Sequence, residues 1–100
     1  MRLIDLDIDK KQVMRALIAL SIEKVLLDIG KPMLDKVTNR LYKEYQCYLP
    51  DCHEHPDYLN NVLRSVLGNS YITITEAIKL ELKENLNDKT VLRLVNTIGT

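Results

Sequence analysis

The chain predicts an all-α fold: a small bundle of four main helices followed by a short C-terminal helix. Three observations lead there. Apolar residues recur at three- and four-residue steps through most of the chain, which is the period of a helix. Only 3 glycines and 3 prolines are present, so long regular elements are favoured over loops. The 46% of hydrophobic residues against 28% charged supplies enough apolar surface to offset the cost of ordering, which a disordered chain lacks. A length of 100 residues suits one domain able to bury roughly two-thirds of its unfolded surface. Residues 1–9 are expected to form an N-terminal arm and residues 10–100 the helical domain.

The arm, Leu3-Ile4-Asp5-Leu6-Asp7-Ile8-Asp9, alternates apolar and acidic residues. That is a strand's period, yet no second strand is available to pair with it, so an extended arm is the better expectation. Asp9 suits an N-cap, and Asp7 and Asp9 would both sit well near a positive helix end. The central helix then runs from about Lys10 to Ile29. It carries two apolar rows, Val13, Leu17, Leu20 and Leu27 on one face and Met14, Ile18, Ile22, Val25 and Ile29 on the adjoining one. One stripe needs one neighbour and two need several, so both rows are expected to be covered, by the rest of the domain or by a subunit interface.

Gly30 stops this helix, and Pro32 fits the first turn of the next, where its missing N–H costs nothing. Leu34, Val37, Leu41 and Tyr45 form the second helix's buried row, with Lys36, Arg40 and Lys43 on its outer face. A connection this short makes the two helices an antiparallel hairpin. Gln46 to His55 is irregular, bracketed by Pro50 and Pro56. Pro56 opens a third helix with Leu59, Val62, Leu63, Val66 and Leu67 inward, ending at Gly68-Asn69.

Residues 71–75, Tyr-Ile-Thr-Ile-Thr, favour a strand by propensity. They also run into Ile74, Ile78, Leu82 and Leu86 at four-residue steps. A fourth helix from near Ser70 to Leu86 is therefore expected, with Thr73 and Glu76 as a candidate capping box. Leu80 points away from its row. Asn87-Asp88 reads as a break and a new cap. Val91, Val95 and Ile98 then mark a fifth helix closed by Gly99, too short to stand alone.

Charge and composition narrow the function classes. There are 14 basic and 14 acidic residues, for a formal net charge of 0, whereas a dedicated nucleic-acid binder usually carries a positive excess. The longest uncharged run of the central helix, Ala16 to Ile22, is far shorter than the ~20 residues a bilayer requires. Arg2 is followed by Asp5, Asp7 and Asp9, which does not fit a secretory signal. A cytoplasmic protein with reduced thiols is expected.

Four residues have the chemistry of zinc ligands: Cys47, Cys52, His53 and His55, with Asp51 and Glu54 interleaved. The spacing opposes a site. Adjacent Cys52 and His53 diverge, and no second ligand pair lies elsewhere in the chain. The simpler reading is a polar loop with Cys47 packed as a small hydrophobe. The same residues supply the types for a catalytic Cys–His pair, with Asp51 or Glu54 orienting the base. No oxyanion-forming turn accompanies them, so no enzymatic activity is expected. Gly30, Gly68 and Gly99 are isolated and form no phosphate-binding loop, so no cofactor is expected either.

The basic row Lys36, Arg40 and Lys43, near Tyr42, Tyr45 and Tyr48, has the composition of a nucleic-acid surface. Asp35 and Glu44 dilute it, Glu44 stands four residues after Arg40 as an ion-pair partner, and total charge is neutral. A solvated face is the expectation. Apolar surplus is the remaining signal. Val13, Met14, Leu17 and Leu80 exceed what one small domain needs, and they suggest a partner surface, either for a second copy in a homodimer or for a partner helix.

The runs Leu20-Ser21-Ile22 through Gly30-Lys31, Leu41-Tyr42-Lys43-Glu44-Tyr45, Leu49-Pro50, Leu63-Arg64-Ser65-Val66-Leu67-Gly68 and Ile74 to Leu86 together resemble the Nitrososphaera output domain, type five. This is a small archaeal family, formerly a domain of unknown function. The resemblance spans about residues 20–86. It implies an all-helical fold and a role as an output or interaction module in archaeal signalling, with no catalytic residues to carry over.

Overall fold

The computed structural model describes the backbone of residues 3–99 and the side chains of residues 12–99. Among the described residues every regular element is helical. The α-helices are α1 (Leu3–Ile29), α2 (Lys31–Tyr45), α3 (Pro56–Leu67), α4 (Tyr71–Leu82) and α5 (Lys89–Thr97). Three short 3-10 turns, Leu49–His53, Gly68–Ser70 and Lys83–Asn85, join them. No described helix is long and apolar enough to cross a membrane.

α1 starts earlier than its sequence suggests. Residues 3–9 are its first two turns and not an extended arm, so Asp9 lies inside the helix and cannot cap it. The physical reason is that nothing in 3–9 breaks a helix, while a lone strand has no ladder to join.

One glycine separates α1 from α2. Gly30 sits at φ +154°, in a region that only glycine occupies at low cost. Its N–H donates to the Leu26 carbonyl at 3.1 Å, and its carbonyl accepts from Met33 and Leu34 at 3.1 and 3.3 Å. It closes one helix and opens the next, giving the expected hairpin. Pro32 stands in the first turn of α2 and Pro56 in that of α3.

One buried cluster draws on every helix. α1 contributes Ile18, Ile22, Val25 and Leu26, α2 Val37 and Leu41, and α3 Leu59, Val62, Leu63 and Leu67. α4 adds Tyr71, Ile78 and Leu82, and the last segment adds Val91, Leu94 and Ile98. Residues of this kind each contribute about 1.5–3 kcal/mol when fully buried. α1 packs against α2, α4 and the 49–53 turn, while α3 packs against α2, α4 and α5.

Three expectations about faces change. Of the two rows on α1, only Ile18, Ile22 and Val25 of the second are buried; Val13, Leu20 and Leu27 of the first face water, and so does Ile29 at the end of the second. The inward helices meet α1 on one side, and no described segment crosses the other. Leu86 is exposed and does not extend the row of Ile78 and Leu82, because α4 ends at Leu82 and the chain tightens into a 3-10 turn. Residues 71–75 are helical, and α4 has no side-chain cap, so Thr73 and Glu76 form no capping box. Thr75 is instead buried, its hydroxyl donating to the Tyr71 carbonyl at 2.8 Å.

The C-terminal segment is fastened by polar contacts. Asp88 caps α5, its carboxylate accepting from Thr90 N at 2.8 Å and Val91 N at 3.2 Å. Buried Asn60 on α3 accepts from the Tyr71 hydroxyl on α4 and, at 3.2 Å, from Gly99 N beyond α5.

Candidate functional site

The Cys/His segment folds into the 49–53 turn. Arg15 on α1 holds this turn from outside, donating to the Pro50 carbonyl at 3.4 Å and pairing with Asp51 at 3.0 Å. Cys47 and Cys52 are both buried free thiols. Both donate to the Tyr48 carbonyl, at 3.5 and 3.7 Å, and the two thiols interact with each other. Burial pushes both above the ordinary thiol range, Cys52 the further, since a thiolate is poorly solvated there. Thiols held protonated in this way are weak nucleophiles and weak metal ligands.

The two histidines go elsewhere. His53 Nδ1 donates to the Pro50 carbonyl at 2.8 Å. His55 is exposed and stacks on Tyr58 with ring centroids 4.5 Å apart. Tyr58 in turn stacks on Tyr45 at 4.3 Å, so three rings from α2, α3 and the intervening turn form one column. The structure therefore does not bring Cys47, Cys52, His53 and His55 together. Among the described residues no group of three or more His, Cys, Asp or Glu side chains converges as a metal site.

The surface gives two better candidates. The first is the outer side of α1. Val13 is 57% exposed, Leu20 61% and Leu27 47%, and Leu80 on α4 is 63% exposed. Of the residues expected at a partner surface, Val13 and Leu80 are outside, whereas Met14 and Leu17 are half-buried and packed on the core. Leu20 and Leu27 belong to this surface and their exposure could not be read from periodicity, because both rows of α1 are equally apolar. A seam joins the two helices here: Lys24 on α1 pairs with Glu81 on α4 at 2.9 Å. The hydrogen bond and charge of Glu81 raise the Lys24 ammonium above its ordinary 10.5.

The second is the outer side of α2. Lys36, Asn39, Arg40, Tyr42, Lys43 and Gln46 line a shallow depression of about 660 Å³. The expected Arg40–Glu44 pair is present at 3.6 Å, and Arg40 also donates to the Ser65 hydroxyl at 3.0 Å.

Compared with protein-family models, with curated proteins and with solved structures, the chain matches none.

Proposed function

We propose that this is a protein–protein interaction domain that pairs with a second copy of itself along the outer face of α1, in a small helical bundle of four main helices and a short last one. The observation that carries the reading is the exposed line Val13, Leu20, Leu27. Its members stand seven residues apart, so they drift by only ~20° per step and share one edge of the helix. The line is also symmetric in sequence about Leu20. An antiparallel partner related by a two-fold axis would set Leu20 on Leu20 and Val13 on Leu27, with exposed Ala16 leaving room for close approach.

A standard interface buries about 800 Å² per partner. Against a total accessible surface of 6376 Å² that is roughly an eighth, which α1 and the neighbouring Leu80 region can supply. Neutral net charge adds no long-range repulsion between copies. The signalling-output role implied by the family resemblance, and the cytoplasmic location expected from charge pattern and cysteine usage, are compatible with this reading and form part of it.

Sedimentation equilibrium in the micromolar range tests the proposal. The wild-type chain is expected to be a dimer, and Leu20→Glu a monomer with an unchanged far-ultraviolet spectrum. A monomeric wild type at these concentrations, or a Leu20→Glu dimer of undiminished affinity, overturns it.

A further inference from the structure

α2 carries four basic residues, Lys31, Lys36, Arg40 and Lys43, against two acidic ones, Asp35 and Glu44. The pairing among them is uneven. Asp35 is taken by Lys31 at 3.2 Å and Glu44 by Arg40 at 3.6 Å. Lys36 and Lys43 are exposed and make no ion pair among the described residues. They stand seven residues apart, so their axial separation is about 10 Å, with Arg40 between them. The molecule is neutral as a whole, but this strip is positive.

At its C-terminal end the strip meets aromatic surface. The rings of Tyr42 and Tyr48 lie 5.3 Å apart at 32°, and the residues are 52% and 59% exposed. Tyr42 also lines the depression that holds Lys36, Arg40 and Lys43. Cations for a backbone of phosphates beside an open aromatic face for a base are the two components of a single-strand platform. An acidic peptide would use the cations and leave the rings idle.

We infer that the outer face of α2 binds single-stranded nucleic acid, with phosphates on Lys36, Arg40 and Lys43 and a base against the Tyr42–Tyr48 pair. The site is separate from the α1 face, so it stands whether or not the chain dimerises. About three phosphate contacts set its salt dependence: with a slope near −0.7 per contact, affinity falls about 100-fold for a tenfold rise in salt.

The test is fluorescence anisotropy of the full chain with a labelled oligothymidylate about ten nucleotides long, within the usual site size for such surfaces. Binding at low salt with that steep loss is expected. The double variant Lys36→Glu/Lys43→Glu should abolish it, Tyr42→Ala should weaken it about tenfold, and Tyr42→Phe should restore it, since stacking needs the ring and not the hydroxyl. All three positions are exposed, so circular dichroism should stay unchanged. Absence of binding at low salt, or binding indifferent to the lysine reversal, overturns the inference. So does full competition by polyglutamate together with no effect of Tyr42→Ala, which would make the face a site for acidic protein.

Discussion

The two sides of α1 are nearly matched in composition and opposite in fate. Ile18, Ile22, Val25 and Leu26 lie in the core, while Val13, Leu20 and Leu27 are in water on the same helix. Apolarity therefore does not decide which side is covered; the arrangement of neighbours does. α2, α4 and the 49–53 turn approach from one side. Two polar pairs tie α1 to these neighbours: Arg15 with Asp51 of the turn, and Lys24 with Glu81 on α4.

Substitutions across this boundary should separate the two roles. Ile22→Ala on the inner side removes fully buried volume and is expected to cost about 2–5 kcal/mol of folding stability, read by urea denaturation. Arg15→Ala should cost below about 1 kcal/mol, because the pair is well exposed and screened. Leu20→Glu on the outer side should change the stability of the isolated chain by about 0.5 kcal/mol or less while abolishing self-association. An outer substitution that unfolds the chain as Ile22→Ala does would erase the distinction.

The smallest effect belongs to the Lys24–Glu81 pair and disappears at high pH. Lys24 has a folded-state pKa raised by Glu81 above its ordinary 10.5. Its contribution is thus complete below the unfolded value and is lost as pH rises through the raised one. Lys24→Met should lower stability slightly at neutral pH and flatten that part of the alkaline limb in a pH series of thermal melts. An unchanged limb would mean that the Lys24–Glu81 pair does not persist in solution.

Helix boundaries were legible wherever a residue has a backbone reason to be there. Gly30, Pro32, Pro56 and Asp88 each mark an end or a start, and each stands where its chemistry places it. At 71–75 the expected helix forms against strand propensity, because burial of Tyr71 and Thr75 and the run into Ile78 outweigh β-branching. Of the exposed line on α1, Val13 was legible as surplus, but Leu20 and Leu27 were not, because periodicity counts apolar faces without counting neighbours. Asn60 was missed for a related reason. A polar residue amid a helical apolar pattern reads as outward, and its burial depends on Tyr71 and Gly99, 11 and 39 residues away. The Tyr45–Tyr58–His55 column is likewise made by α2 and α3 meeting, which no local spacing announces. The lysines and Tyr42 of the α2 strip were visible as residue types; that two of the cations lack acidic partners was not.

The brevity of α5 turns it into a gauge. Nine residues, Lys89–Thr97, cannot hold a helix in water unaided, so their amides are shielded only while the segment lies against α3 and α4. Beyond them, a side chain at Gly99 would meet the Lys79 ammonium and the Thr75 hydroxyl at 3.0 Å, which leaves little slack at that end. Deuterium uptake across Val91 to Thr97 should therefore report the free energy of laying down this one segment, separately from opening of the whole chain.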